Sequence, residues 1–380
     1  ALAHENAMSV VVSRVLQLAR PALVVPIALV ATAASGEQAP YGDFELTALL
    51  AAATQCQLVD EGEDADDECS GVVLTQPELA YHPGKRDEFR IKLGFASSNA
   101  LNSRTPIRFP PWAADLEDDV ESVNGTSRDY LLTAHYRHRF DFGERGALAL
   151  TGGLIDATDF LDANRYANDE FTQFMSAGLV NGPNTFVPSY DVGGGFTYDA
   201  GRWSFHGVYM NVDDEDGSES WFAGAEAGFH PQTPWGSGSY RLVLTRTGKD
   251  FDDPTGTQGE RREDLIVSAD QQLGEHLGGF VRIEIQEDNA AINAESTWTV
   301  GLDLTGSAWG RASDNVGIGL GYADGGNLDL RDGYGGEAYY RHALNEVWAL
   351  SGSVQYGFND LRGPDNAEVW TLGLRLVAEL

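Results

Sequence analysis

Positive charge is what this chain has least of. Its 25 lysines and arginines stand against 58 acidic residues, for a formal charge of -33, and the only lysines are Lys85, Lys92 and Lys249. A nucleic-acid binder needs a basic footprint, and this composition is the reverse. Cysteine is limited to Cys56 and Cys69. Two thiols without a histidine cluster do not make a zinc site, so no metal is expected, and in an oxidising compartment their spacing suits a disulfide closing the acidic stretch 57–68. Beyond the first forty residues no run of 18 or more apolar residues occurs, which excludes a helical membrane span. No glycine-rich phosphate loop and no compact nucleophile–base motif is present, so neither ATP coupling, an enzyme nor a cofactor is expected. Such acidity could mean disorder, but 42% hydrophobic and 10% aromatic residues argue for a folded chain.

The first third of a hundred residues reads as an export signal. Met8 begins a segment with Arg14 and Arg20, followed by the apolar run 21–34 and the small residues Ala31 and Ala33. The run is too short to span a bilayer and has signal-peptide order. Residues 1–33 are therefore expected to be a cleaved leader, with 1–7 a start-site artefact, 34–42 a short lead and 43–380 one domain.

From residue 43 the dominant pattern has period two. Trp370, Leu372, Leu374 and Leu376 alternate with Thr371, Gly373 and Arg375; Phe89, Ile91 and Leu93 alternate with Arg90, Lys92 and Gly94. About sixteen such segments can be marked, near 43–56, 70–82, 86–98, 129–141, 147–156, 190–200, 202–212, 221–231, 239–247, 264–273, 277–287, 296–306, 315–324, 335–343, 347–358 and 367–380. The first has the weakest period. Connections alternate between tight ones and long ones, the longest being 99–128 and 157–189. An even strand number with short turns on one rim and long loops on the other predicts a closed antiparallel transmembrane β-barrel, its short turns periplasmic. Polar, glycine-rich second faces are costly in a soluble core but natural toward a water-filled lumen. Trp235 and Trp309 suit an interfacial aromatic girdle.

The stretch 154–183 is neither a clean strand nor a clean helix. Carboxylates, amides and aromatics interleave along it, a mixture that suits a sugar with its apolar ring faces and hydroxyls. Within it, Thr158-Asp159-Phe160-Leu161-Asp162-Ala163-Asn164, Arg165-Tyr166-Ala167-Asn168-Asp169-Glu170 and Ala177-Gly178-Leu179-Val180-Asn181 resemble the carbohydrate-selective porin family of Gram-negative outer membranes. Gly306-Ser307-Ala308-Trp309-Gly310-Arg311 and Glu337-Ala338-Tyr339-Tyr340-Arg341 extend the resemblance. It implies a sixteen-stranded barrel with two loops folded inward, as the strand count also does, and carbohydrate as permeant. The chain ends in Leu380 where such barrels commonly end in an aromatic residue.

The strand reading places Arg90, Lys92, His135, Arg137 and Arg139 on lumen faces, with Arg202, His206, Arg241 and Arg282 further round. Opposite stand Asp159, Asp162, Asn164, Arg165, Asn168, Asp169, Glu170 and Gln173 of the inward loop, and the proline-stiffened loop 99–128 adds Arg104, Arg108 and Trp112. The expected function is passive diffusion of neutral mono- or oligosaccharides through this constriction. A general cation-preferring porin is the alternative, because the acidity attracts cations. Expected partners are outer-membrane lipid and lipopolysaccharide, the barrel-assembly machinery and two further copies in a trimer. The acidic segments 213–219 and 250–253 read as solvated surface.

Overall fold

The computed structural model describes residues 42–62, 65–114, 116, 120–126, 128–213, 219–363 and 366–380. The expected leader and most of the acidic segments 115–121 and 213–219 lie outside them. Sixteen long strands run β1 (Asp43–Glu61), β2 (Glu68–Gly84), β3 (Asp87–Leu93, continued by Phe95–Ala96), β4 (Leu131–Asp141), β5 (Ala147–Ile155), β6 (Asp191–Ala200), β7 (Trp203–Asp213), β8 (Glu219–Phe229), β9 (Gly236–Thr247), β10 (Glu263–Leu273), β11 (Leu277–Gln286), β12 (Ala294–Thr305), β13 (Asn315–Gly325), β14 (Leu330–Ala343), β15 (Trp348–Leu361) and β16 (Ala367–Glu379). Each pairs antiparallel with the next, and β16 returns to β1 with Leu49 opposite Glu379 and Leu58 opposite Trp370. The sheet has no free edge. That is the condition for spanning hydrocarbon, where an unpaired backbone amide finds no water.

All sixteen segments marked in the sequence are strands. β1 runs on to Glu61, and there Cys56 faces Cys69 of β2 across the ladder, joined by a disulfide. β14 begins at Leu330 rather than 335, because the stretch before Gly335 continues the ladder, Gly333 pairing inward with Ala323 and Tyr334 outward with Tyr322. Along β9, Tyr240, Leu242 and Leu244 are exposed while Arg241, Val243 and Thr245 are buried, the sheet period of two with the apolar set outward. Exposed Trp298, Val300 and Leu302 of β12, with Ile318 and Leu320 of β13, continue this outward apolar band. In water so large a patch would drive aggregation; against lipid it is the stable arrangement.

The buried apolar clusters lie inside the barrel. Trp112, Phe171 and Met175 from the two long loops pack on Ala51, Leu74, Leu132 and Val377 of the wall. Phe160 and Leu161 pack on Val208, Phe222, Val243 and Ile266. The loops between β3 and β4 and between β5 and β6 therefore fold into the lumen. Glycines of the wall make room for them. A Cβ on Gly195 would stand 2.4 Å from the Phe160 ring, and one on Gly278 would stand 2.1 Å from that of Tyr166.

Candidate constriction

The loop 156–190 leaves and re-enters the wall through one carboxylate. Asp156 accepts from the Thr158 amide at 2.9 Å, capping a short 3-10 turn, and from the Ser189 hydroxyl at 3.2 Å, so both feet of the loop are tied together. Between the feet the inner wall grips the loop with charged side chains. The Arg282 guanidinium meets Asp162 at 2.5 Å and donates to the carbonyls of Ala167 and Leu179 at 2.8 and 3.3 Å. Glu226 accepts from the Asp162 amide at 2.7 Å, and Glu284 from that of Asn184 at 2.8 Å. Glu337 takes the amides of Met175 and Ser176 at 2.9 and 2.8 Å. Arg375 donates to the carbonyls of Glu170 and, at 2.8 Å, Gln173. All these wall groups are buried. Hydrogen bonds to charged groups contribute about 1.5–3 kcal/mol each, so the set holds the loop firmly.

The second loop is fastened to the first. The Ala113 amide donates to the Met175 carbonyl at 2.8 Å, and Ala177 to that of Pro110 at 3.0 Å. Gln55 and Gln355, from opposite sides of the barrel seam, both donate to the Pro111 carbonyl, at 2.6 and 3.1 Å. Prolines leave their carbonyls free while fixing the chain's course, which makes Pro110-Pro111 a suitable point to pin.

These contacts sort the residues expected at the passage. Asp162 and Asn164 are turned into the wall, Asn164 donating to the Ser268 hydroxyl at 3.1 Å, because a buried cation and hydroxyl await them there. Asp169 caps the next turn, accepting from the amides of Phe171 and Thr172 at 2.8 and 3.2 Å, and the Gln173 side chain accepts from the Asn168 amide at 2.8 Å. Trp112 is fully buried against Phe171 and does not line an opening. Arg104 pairs with Glu68 at 3.1 Å and Arg108 with Asp329, both toward the long-loop rim. Arg241 and Arg282 lie beneath the loop, Arg241 meeting Asp270 at 2.7 Å. Arg165 is exposed, with one bond of 3.1 Å to the Ser237 hydroxyl and its guanidinium 5.6 Å from the Tyr166 ring.

What remains is a small group of charges with spare capacity. On β3, Arg90 is taken up by Glu78 and, at 3.1 Å, Glu88, but Lys92 beside it makes no ion pair among the described residues. The same holds for Arg137 and Arg139 on β4, which share the inner face with His135. From the loop, the carboxylates of Asp159 and Glu170 have no side-chain partner among the described residues, and both sense Lys92. Asp159 is exposed to solvent yet hemmed in by protein. Desolvation, with the charge of Asp156, lifts its pKa to about 6, against the pull of Lys92 and Arg90. Burial, with Asp169 and Asp156 as like charges, lifts Glu170 to about 7, again against Lys92. Lys92 of the wall therefore lies within electrostatic reach of both loop carboxylates.

Toward the long-loop rim the two loops help line an open recess of about 450 Å³, with Arg108, Phe109, Asn181, Asn184, Phe186 and Arg262 among its walls. The Arg262 guanidinium sits 5.2 Å from the Phe251 ring and donates to the Asn184 carbonyl at 2.9 Å. Arg262, Glu284, Glu337 and Arg375 escape a reading of the sequence for the site. Only Glu337 falls in a recognisable motif, 337–341.

Residues 118–380 match the profile described as "Carbohydrate-selective porin, OprB family", more than half of the chain. The chain belongs to the OprB family. Among solved structures, it is similar to the high-pH structure of Pseudomonas putida OprB, with a TM-score of 0.67 and 16% identity over 90% of this chain and 94% of that one. The low-pH structure of the same protein gives a TM-score of 0.54 at 13% identity, over 90% and 93%. An uncharacterized protein of Aquifex aeolicus (strain VF5) is 27% identical over 320 residues, 80% of this chain and 88% of the relative. The solved neighbours carry the fold, the profile the family. An OprB-family chain in this barrel is an outer-membrane porin for carbohydrate, a channel rather than an enzyme.

Proposed function

We propose that the barrel lets neutral mono- and oligosaccharides diffuse passively past loop 156–190, between Asp159 and Glu170 on one side and Lys92, Arg137 and Arg139 on the other. The observation that carries this reading is the division of labour among the interior charges. Those that hold the loop are buried and bonded to its backbone, whereas these five form no ion pair among the described residues and keep capacity for what passes. Unpaired charges of both signs across a narrow aqueous gap bind dipolar, hydroxyl-rich solutes transversely and raise no net barrier to uncharged ones. Arg165 and Tyr166 add a guanidinium and an aromatic face, the pair of surfaces a sugar ring uses. Short turns then face the periplasm and the long-loop rim faces lipopolysaccharide. A cleaved leader, the barrel-assembly machinery and a trimeric state belong to the same reading.

The rival is a general cation-preferring porin, favoured by the charge of -33. Liposome swelling with refolded protein separates them. Neutral sugars should enter faster than uncharged non-sugars of equal size, and Lys92→Gln with Asp159→Asn should erase the advantage. Rates that follow size and charge alone would reduce the protein to a general porin.

A further inference from the structure

The open recess at the long-loop rim differs in charge from the rest of this acidic molecule. Its volume of about 450 Å³ lies within the roughly 300–1,000 Å³ usual for small-ligand pockets. Among the described residues no carboxylate lines it, although the chain carries 58 acidic residues against 25 basic ones. Its walls offer donors and apolar faces instead: Arg108 and Arg262, the amides of Asn181 and Asn293, and the rings of Phe109 and Phe186. Arg262 is the centre of that set. Its Nη2 donates to the Asn184 carbonyl at 2.9 Å, and the guanidinium stands 5.2 Å from the Phe251 ring, which meets Phe186 edge-on at 5.0 Å. Its Nη1 and Nε make no hydrogen bond, and it forms no ion pair, among the described residues. The acids that act on its charge are engaged elsewhere. Glu284 accepts from the Asn184 amide at 2.8 Å and Asp264 from the Thr245 hydroxyl at 2.8 Å, and neither lines the recess. Asn181, on a left-handed backbone with φ 53°, has its Oδ1 buried without a hydrogen-bond partner among the described residues. Arg108 holds only an exposed pair with Asp329, which a ligand carboxylate can contest.

Building on the sugar passage proposed above, we infer that this recess is an outer docking site for acidic sugars, a uronic acid or the uronate end of an oligosaccharide. The carboxylate takes the free side of the Arg262 fork, whose planar donors match a carboxylate two at a time. The sugar ring lies against Phe109 or Phe186, and its hydroxyls meet the side-chain amides of Asn181 and Asn293, which both donate and accept. Apolar walls with a few convergent polar groups are the usual make-up of a small-ligand site. A neutral sugar meets the same rings and amides but leaves the guanidinium without a counter-charge. An ammonium-bearing sugar meets no anion there. The site thus acts against the sign of the whole chain. A charge of -33 repels sugar acids from the barrel mouth, and a cationic recess among the loops retains those that arrive.

The test is isothermal titration calorimetry on the full refolded chain in detergent, with glucuronate, glucose and acetate as probes. Glucuronate should bind about tenfold or more tightly than either of the others, because it alone carries both the carboxylate and the ring. Its affinity should fall as salt rises from about 20 to about 500 mM. Arg262→Gln should remove the advantage of glucuronate, and Arg262→Lys, which keeps the charge without the fork, should recover part of it. Because Arg262 also holds the Asn184 carbonyl, a second variant guards against a loosened loop. Asn293→Ala, at an exposed side chain that makes no hydrogen bond among the described residues, should weaken glucuronate about threefold. Heat-modifiable gel migration verifies that each variant has folded. Failure of glucuronate to bind would overturn the inference, as would binding of full strength in both Arg262→Gln and Asn293→Ala. Equal affinity for acetate would overturn the assignment to a sugar, and equal affinity for glucose the role of the guanidinium. Liposome swelling by glucose reads the passage separately: its failure would remove the passage and leave a calorimetric glucuronate site standing.

Discussion

Asp159 and Asp162 are three residues apart on one loop and have opposite fates. Asp162 finds Arg282 at 2.5 Å and is buried; Asp159 finds no side-chain partner among the described residues and stays in contact with solvent. Nothing in the local sequence distinguishes them, since both are aspartates in a polar, aromatic context. The partner that decides is 120 positions away along the chain, and periodicity carries no information at that range. The raised midpoint of Asp159 also has a thermodynamic consequence. An acid whose folded pKa exceeds its unfolded value binds protons more readily when folded, so its ionisation weakens the fold as pH rises through that window. Asp159→Asn should therefore raise the detergent-solubilised melting temperature at about pH 8 and leave it unchanged at about pH 4, as differential scanning calorimetry would read. At Arg282 the sign is reversed. Arg282→Met leaves Asp162 buried and uncompensated, a loss of about 3–5 kcal/mol, and limited proteolysis should then cut loop 156–190; adding Asp162→Asn should restore much of its protection.

Among the elements, strands were legible and the grip on the loops was not. Lipid forces apolar residues onto one face of every strand, so the pattern repeats sixteen times and survives even the glycine-rich start of β14. β1 reads weakly because both its faces are apolar or small: Ala51 and Ala53 look inward onto the loops, where other strands carry polar residues. The inward loops could be recognised from composition and length, but their fastening through Glu226, Glu284, Glu337 and Arg375 joins residues far apart. Those side chains are buried anchors that period-two alternation does not single out. The fit of loop to wall is tight at glycine. Gly278→Ala places a methyl group on the Tyr166 ring, which can only retreat from the wall toward the lumen. The expected outcome is a lowered single-channel conductance, with about 1–3 kcal/mol lost in a urea titration of the folded barrel.

At the scale of the molecule, the excess of acid is a field rather than a contact. A charge of -33 enriches cations at the barrel mouths, and that enrichment decays within about 30 Å at 10 mM salt and about 3 Å at 1 M. The preference for potassium over chloride should accordingly be largest in dilute salt and shrink steeply as salt rises, whereas the contribution of Asp159 and Glu170, hemmed in by protein, should persist longer. Reversal potentials across that range of salt separate the two.

The anchors of the first long loop's neighbour, loop 156–190, have one more property in common. Glu226, Ser268, Arg282, Glu284, Glu337 and Arg375 all come after the loop in the chain. The loop is therefore made before any of these wall side chains exists, and the last of them sits on the strand that closes the seam with β1. Its confinement is an event of biogenesis: until β16 zips to β1, the segment that governs passage is held by only part of its cradle. A nascent barrel stalled one strand short has an unsealed wall and an incompletely fastened obstruction together, and both are completed in the same step.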